Sequence, residues 1–232
     1  LQTLESLHRA HLLAVPFENL DIHLGRPIVL DDEKLFRKII EDCRGGFCYE
    51  LNSVFAQLLR SLGFRVTMLS AGVMSESGSF GPNFDHMALM VEMEERWLVD
   101  VGFGDSFRLP LRLDQRGEQR HGQESFRIDL EGENLTYLRL QDNQLNPQYR
   151  FTLQPRQLSD YAGMCHYHQT SPQSPFTRKR VCTLATPEGR ITLSERRLIT
   201  TSRDGRSERD LASDEEYRAI LRDMFGVKIT NG

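Results

Sequence analysis

Beyond Glu50 the chain places apolar residues at Leu51, Val54, Phe55, Leu58, Leu59 and Leu62, the spacing of one helix face, and Gly63 follows where a C-terminal cap belongs. Upstream, leucines at positions 4, 7 and 12 predict a helix over Leu1–Ala14 that Pro16 ends. Pro16–Leu20 is expected as an ordered turn. Asp31 or Asp32 can cap a further helix whose buried stripe is Leu35, Phe36, Ile39, Ile40 and Cys43. Residues 1–63 therefore read as an all-helical bundle.

The period changes at Arg65. Arg65–Val73 is rich in Val, Met and Leu and reads as a strand, followed by a Gly/Ser/Pro loop over Ser75–Asn83. Phe84–Val91 and Trp97–Gly104 run apolar on either side of the polar Glu92–Arg96 segment and predict a hairpin. Phe126-Ile128-Leu130, Leu135-Tyr137 and Phe151-Leu153 continue the alternation around a Glu131–Asn134 turn, which favours an antiparallel meander or β-barrel over residues 64–155. Residues 156–232 then read as a linker helix plus a mixed α/β unit. The helix is Gln157–His168, followed by a loop over Gln169–Pro175. The strands are Val181–Leu184, Arg190–Leu193 and Leu198–Thr201, with a turn at Thr186–Gly189. A capping box at Ser213–Glu216 starts the last helix, which presents Tyr217, Ile220, Leu221 and Met224 before a Gly226 cap. The fold class is α+β.

At 232 residues the chain is long enough for a sizeable core, and its net charge of −4 does not point to nucleic acid or anionic membranes. Arg178-Lys179-Arg180 is the densest basic run and reads as a solvated surface, although it could steer a phosphorylated ligand. No apolar stretch has the length of a membrane span and no signal peptide is visible. The first residue is Leu rather than Met, so residues upstream are expected. Cys43, Cys48, Cys165 and Cys182 form no CxxC pair, which suits a reduced cytoplasmic protein. Cys165-His166-Tyr167-His168 resembles a metal-ligand run, but no further ligand is spaced nearby, and no metal is expected.

Candidate chemistry begins at Arg44-Gly45-Gly46-Phe47-Cys48-Tyr49-Glu50, where a glycine-bearing turn meets a helix. Cys48 falls in or just before the first helical turn, where free N–H groups and the helix dipole favour a thiolate. Gly45 and Gly46 are expected to turn the backbone sharply and leave open space beside the sulfur. A lone cysteine is more often a small buried hydrophobe. A second stretch changes that reading. His86 opens one hairpin strand and Asp100 nearly closes the other, so the chain supplies a nucleophile, a base and an orienting carboxylate. For His86 and Asp100 to share a sheet face without a bulge, the turn needs an odd count, such as Met93-Glu94-Glu95. A two-residue Glu94-Glu95 turn would put them on opposite faces.

Arg-Gly-Gly-Phe-Cys at 44–48, His-Met-Ala-Leu at 86–89 and Val-Asp-Val-Gly-Phe-Gly at 99–104 together resemble the arylamine N-acetyltransferase family. Pro16-Phe17-Glu18-Asn19-Leu20 and Ser174-Pro175-Phe176-Thr177 match it as well, so the likeness covers nearly the whole chain. The resemblance implies acetyl-CoA-dependent N-acetylation of arylamines or arylhydrazines by a ping-pong route. Cys48 would carry the acyl thioester, His86 would act as base and Asp100 would orient it. It implies acetyl-CoA as co-substrate, a small aromatic amine or hydrazine as acceptor, and no metal. It also implies a cysteine-protease-like Cys-His-Asp core, with a β-barrel second domain and an α/β third domain that partly closes over the site. Glu18 would pair with Arg44 to brace the loop. Gly102, Phe103 and Gly104 would form part of the acceptor pocket, with Phe103 and Phe47 as aromatic walls and Phe176 near the CoA and acceptor cleft. The backbone N–H of Cys48, with a second donor from the Phe103–Gly104 turn, would receive the oxyanion. Asp85 departs from the pattern: a small hydroxyl residue is common there in bacterial members, and the carboxylate brings negative charge near the imidazole or the acyl-donor path.

Other readings keep some of these residues. An amide synthase or a longer-acyl-CoA transferase would use the same three side chains. A papain- or transglutaminase-like thiol hydrolase shares the Cys, His, Asp order. A non-enzymatic binding protein would leave Cys48 inert.

Overall fold

The computed structural model describes residues 1–229, so positions 230–232 of the expected C-terminal unit lie outside it. The N-terminal part consists of α1 (Gln2–Ala14), β1 (Phe17–Glu18), α2 (Leu20–His23), α3 (Asp32–Phe36) and α4 (Cys48–Ser61). Helix α4 buries Leu51, Val54, Phe55 and Leu59, while Leu58 and Leu62 at the edges of the stripe are exposed. Gly63 follows with φ 87°, the left-handed conformation expected of a cap. Helix α3 departs from its expected stripe. It continues as a π-helical turn over Arg37–Glu41, and only Leu35 and Ile39 are buried. The wider π turn breaks the 3.6-residue period, so Phe36, Ile40 and Cys43 face solvent rather than core. The part is not all helical either, because Pro16–Leu20 contains β1, which pairs with a C-terminal strand.

Eight antiparallel strands follow: β2 (Arg65–Val73), β3 (His86–Glu92), β4 (Arg96–Val99), β5 (Leu111–Arg112), β6 (Gln119–His121), β7 (Glu124–Glu131), β8 (Asn134–Gln141) and β9 (Gln144–Phe151). Their order is β5-β4-β3-β2-β9-β8-β7-β6. At the seam the Gln119 side chain imitates a strand, accepting the Arg112 N–H at 2.8 Å and donating to the Arg112 carbonyl at 2.9 Å, so the barrel is nearly closed. Alternation puts Ala88, Met90 and Leu98 in the barrel core and Met87, Leu89, Val91 and Val99 against α4. Burial on both faces explains why 86–91 reads as a near-continuous apolar run. The expected Phe151–Leu153 strand ends at Phe151.

The C-terminal part holds α5 (Ala162–Thr170) behind a 3₁₀ turn at Leu158–Tyr161, then α6 (Pro175–Arg178) and α7 (Asp214–Phe225). Its strands are β10 (Val181–Ala185), β11 (Gly189–Ser194), β12 (Arg197–Ser202) and β13 (Gly205–Asp210), in the order β1-β10-β11-β12-β13. Helix α7 covers this sheet with Tyr217, Ile220, Leu221 and Phe225, whereas Met224 is exposed. Ser213 accepts the Glu216 N–H at its start and Gly226 caps its end at φ 70°. Strand β13 is exposed at all six positions, so no apolar alternation announces it. No helix among the described residues is long and apolar enough to cross a membrane.

Two glycines bring β1 against the loop before α4. The Glu18 N–H donates to the Gly46 carbonyl at 2.9 Å. A Cβ on Gly45 would lie 2.0 Å from the Pro16 carbonyl oxygen, and one on Gly46 would lie 2.7 Å from Glu50 Cβ. Neither has positive φ. Both glycines thus serve close approach of backbone and side chain, not the sharp turn and open space beside the sulfur expected of them. Gly45→Ala, which meets backbone rather than a movable side chain, is expected to cost about 2–3 kcal/mol. Thermal unfolding should show the midpoint falling by roughly 4–12 °C. An unchanged midpoint would contradict the packing role.

Candidate active site

Cys48 is the first residue of α4 and is buried, and the loop that delivers it is tied down by charge. Arg44 donates from Nε and Nη2 to Glu18 Oε1 at 2.9 and 2.7 Å, and from Nη2 to Asp21 Oδ1 at 3.0 Å. Lys38 Nζ lies 2.7 Å from both Asp21 and Glu50. Glu50 closes the circuit by accepting the Phe47 N–H at 3.0 Å. Burial alone would push Asp21 up, but Lys38 and Arg44 outweigh it and hold the carboxyl below its ordinary value. For the wholly buried Glu50, desolvation wins despite Lys38 and the value is raised. Glu18 and Arg44 form a buried ion pair. Lys38, Asp21 and Glu50 join them across elements that sequence spacing does not connect.

The hairpin register pairs Glu92 with Arg96, Val91 with Trp97 and Leu89 with Val99, which makes Met93-Glu94-Glu95 the odd turn that parity requires. His86 and Asp100 meet, Nε2 to Oδ2, at 2.8 Å. Asn52, one helical turn after Cys48, locks this pair to α4. Its Nδ2 donates to Asp100 Oδ1 at 3.0 Å and to the Met87 carbonyl at 2.6 Å, while its Oδ1 accepts the Val101 N–H at 3.0 Å. The Gly102 N–H donates to Asp100 Oδ1 at 2.9 Å. A Cβ on Gly102 would lie 2.7 Å from Cys48 Cα and 2.6 Å from Asn52 Nδ2, so only glycine lets the strand exit press against the helix start. Behind Asp100 sits His8, fully buried in α1. Burial holds its imidazole below the ordinary value; its Nδ1 lies 3.1 Å from the Arg108 carbonyl, and its Nε2 lies 3.1 Å from the Asp100 carbonyl and 3.3 Å from the Asp100 nitrogen. Sequence reasoning missed both residues. The available signal was a polar side chain four residues from an apolar or reactive one on the same helix face: Asn52 after Cys48, His8 after Leu4.

These contacts set the charges. Burial opposes ionisation of Asp100, but the His86 charge and the hydrogen bonds from His86, Asn52 and Gly102 overcome it and hold the carboxyl below its ordinary value. Burial pushes the Cys48 thiol well up, Asp100 and Asp85 add to this, and a backbone hydrogen bond at Met87 works the other way. The dipole-favoured thiolate expected from sequence is therefore opposed by burial.

Phe103 packs edge-on against His86 at 5.2 Å between ring centroids, and Tyr149 lies 5.0 Å from His86 and 5.1 Å from Phe103. Phe47 is fully buried and meets Phe176 at 5.7 Å and Tyr49 at 5.0 Å. Phe176 is half-buried and continues the row to Phe17 at 6.1 Å. Gly104 turns at φ 81° beside Phe17. A cavity of about 450 Å³ lined by Asp105, Arg108, Arg139 and Arg190 touches none of Cys48, His86 and Asp100, so cavity size does not mark the chemistry. Among the described residues no group of three or more His, Cys, Asp or Glu is arranged to hold a metal ion.

Comparison with known proteins places the chain in a family. The N-acetyltransferase family model matches residues 1–232. Arylamine N-acetyltransferase 1 of Homo sapiens is 32% identical over 255 residues, spanning 99% of this chain and 88% of the relative. The solved arylamine N-acetyltransferase of Salmonella typhimurium superposes with a TM-score of 0.94 at 31% identity, covering 99% of this chain and 85% of the other. The Mycobacterium marinum enzyme, solved in complex with CoA, superposes at 0.90 with 30% identity over 98% of this chain and 86% of its own. With a family match along its entire length and a fold shared with solved members, the chain belongs to the arylamine N-acetyltransferases, a family of acyltransferases.

Proposed function

We propose that the protein transfers an acetyl group from acetyl-CoA to an arylamine or arylhydrazine in two steps through a Cys48 thioester. The observation that carries this reading is the 2.8 Å His86–Asp100 contact, which Asn52 locks to the helix that Cys48 begins. With Nε2 committed to Asp100, Nδ1 of His86 is the nitrogen left to exchange a proton with the sulfur. A lone thiolate is costly in this buried site, but a thiolate beside an imidazolium is not, and Asp100 stabilises that imidazolium. The thiolate attacks the thioester carbonyl of the donor, the bond to the CoA sulfur breaks, and CoA departs as its thiol with the proton from His86, which leaves the imidazole neutral. The amine then attacks the Cys48 thioester and its proton passes to His86, regenerating the thiol once the amide is released. The Cys48 backbone N–H, at the start of α4 where no helical carbonyl accepts it, supports the oxyanion, with the Phe103–Gly104 turn as second donor. Phe103, edge-on to His86, suits an acceptor's aryl ring. Phe47 and Phe176 would support the wall behind it. The CoA complex of the M. marinum relative supports acyl-CoA as donor.

Steady-state rates over a grid of acetyl-CoA and arylamine concentrations should give parallel double-reciprocal lines, and Cys48→Ala should lower kcat by about 10⁴-fold or more. Intersecting lines would rule out the two-step route. Asp100→Asn, which keeps shape but loses the charge that fixes the imidazole, is expected to slow acetylation by about 10⁴-fold. The same carboxylate links stability to pH. Because its folded value is depressed, its contribution is complete above the ordinary carboxylate value of about 4 and is lost as pH falls through the folded value. Denaturant titrations from neutral to acid pH should show wild type losing more stability than Asp100→Asn. Equal losses would contradict the assignment.

A further inference from the structure

We propose that Asp85 and His168 form a positioning pair that fastens the segment delivering His86 to helix α5 and balances the charge beside Cys48. The proposal rests on the reading of Cys48 and His86 given above and adds two residues to it.

Asp85 joins three parts of the chain. Its Oδ2 accepts the Val73 N–H at the end of β2 at 3.1 Å, and its Oδ1 lies 3.3 Å from His168 Nε2 on α5. Gly81 makes room for the carboxylate: a Cβ there would fall 2.5 Å from Oδ2. The backbone around it is held as firmly. Phe84 takes φ 67°, an unfavourable conformation for a bulky residue that persists only where its surroundings enforce it. Ser70 Oγ accepts the Phe84 N–H at 2.7 Å. The Tyr49 hydroxyl, adjacent in sequence to Cys48, bridges the carbonyls of Phe84 and Asp85 at 2.6 and 3.2 Å. The Asp85 carboxylate therefore anchors the strand start that aims His86.

His168 is buried, only 2% exposed. Ser174 Oγ accepts the Phe176 N–H at 3.2 Å and gives its single proton to the His168 carbonyl at 3.1 Å. The 3.2 Å contact between that oxygen and His168 Nδ1 is then one in which the ring donates. Nε2 lies 3.3 Å from Asp85 Oδ1, an ion-pair distance without the alignment of a hydrogen bond. In the proposed pair Nε2 is protonated as well as Nδ1, and the imidazolium offsets the carboxylate. The other groups around the ring supply no charge: Tyr49 from α4, pushed up by burial and hence neutral, Phe176 from α6 and Tyr167 from α5 itself. Around Cys48 the ionisable neighbours include Asp100, Asp85, Cys165, Tyr49 and Tyr161, and burial pushes the Cys165 thiol and both phenols up, so these three are neutral. Asp100 is already offset by His86, so the charge on Asp85 is the one that His168 must cancel if the thiolate is to form. The negative charge expected near the imidazole or the acyl-donor path is thus directed into the contact with α5.

The test follows iodoacetamide alkylation of Cys48 against pH in a Cys43→Ser background, which removes the exposed cysteine. His168→Gln should move the profile to higher pH by about 0.5–1 unit, because Asp85 is left uncompensated. Adding Asp85→Asn to that variant should return it to the parent profile, a reversal that a merely structural role does not produce. An unmoved single variant, or a double variant shifted as far as the single, would overturn the pair. A parent thiol no faster than a free cysteine would overturn the Cys48 reading and the pair with it, whereas a fast parent thiol with unmoved variants overturns the pair alone. Should His168→Gln fail to fold, ¹⁵N shifts of the His168 ring in the parent protein decide: two protonated nitrogens at neutral pH support the pair, and a lone pair at Nε2 contradicts it.

Discussion

The structure of the site depends on one buried carboxylate. Asp100 is fully enclosed, and a charge there is tolerable only with directed partners. It has them: the His86 ring, the Asn52 amide and the Gly102 N–H all point at its two oxygens. Each partner belongs to a different element, so satisfying one anion fixes β3, the exit of β4 and α4 relative to each other. His8 extends the same constraint to α1 through the Asp100 backbone. The catalytic geometry and the docking of helices on the barrel are therefore one requirement, not two.

A second consequence concerns where charge can exist. Cys48 sits where burial raises its thiol, so on the proposed mechanism its thiolate needs the His86 imidazolium beside it. The loop that carries Cys48 needs its own anchor. The Glu18–Asp21–Glu50 carboxylates, with Arg44 and Lys38, supply it from the opposite side. Within it, burial raises Glu50 despite the adjacent Lys38.

Much of this was legible in the chain. The barrel hairpin followed from apolar runs with a polar interruption, and its odd turn followed from parity once His86 and Asp100 are required to share a sheet face. Helix α4 followed from periodicity. What failed did so for identifiable reasons. A π turn is invisible to a 3.6-residue template, so Phe36, Ile40 and Cys43 were misplaced. Strand β13 is made of polar residues at a sheet edge, and β1 is two residues long. Asn52 and His8 were overlooked because an apolar stripe is read by its hydrophobes, while their importance comes from partners about 48 and 92 positions away in sequence. Gly45 and Gly46 were read as turn residues, when it is neighbouring atoms rather than dihedral angles that exclude a side chain there.

The most direct measurement is the intact mass of the protein after brief mixing with acetyl-CoA in the absence of any acceptor, wild type beside Cys48→Ala. The wild type should gain one acetyl group and lose it when an arylamine is added, while Cys48→Ala gains none. Acetyl-CoA turnover without a covalent adduct, or an adduct that persists in Cys48→Ala, would contradict a Cys48 thioester as the link between donor and acceptor.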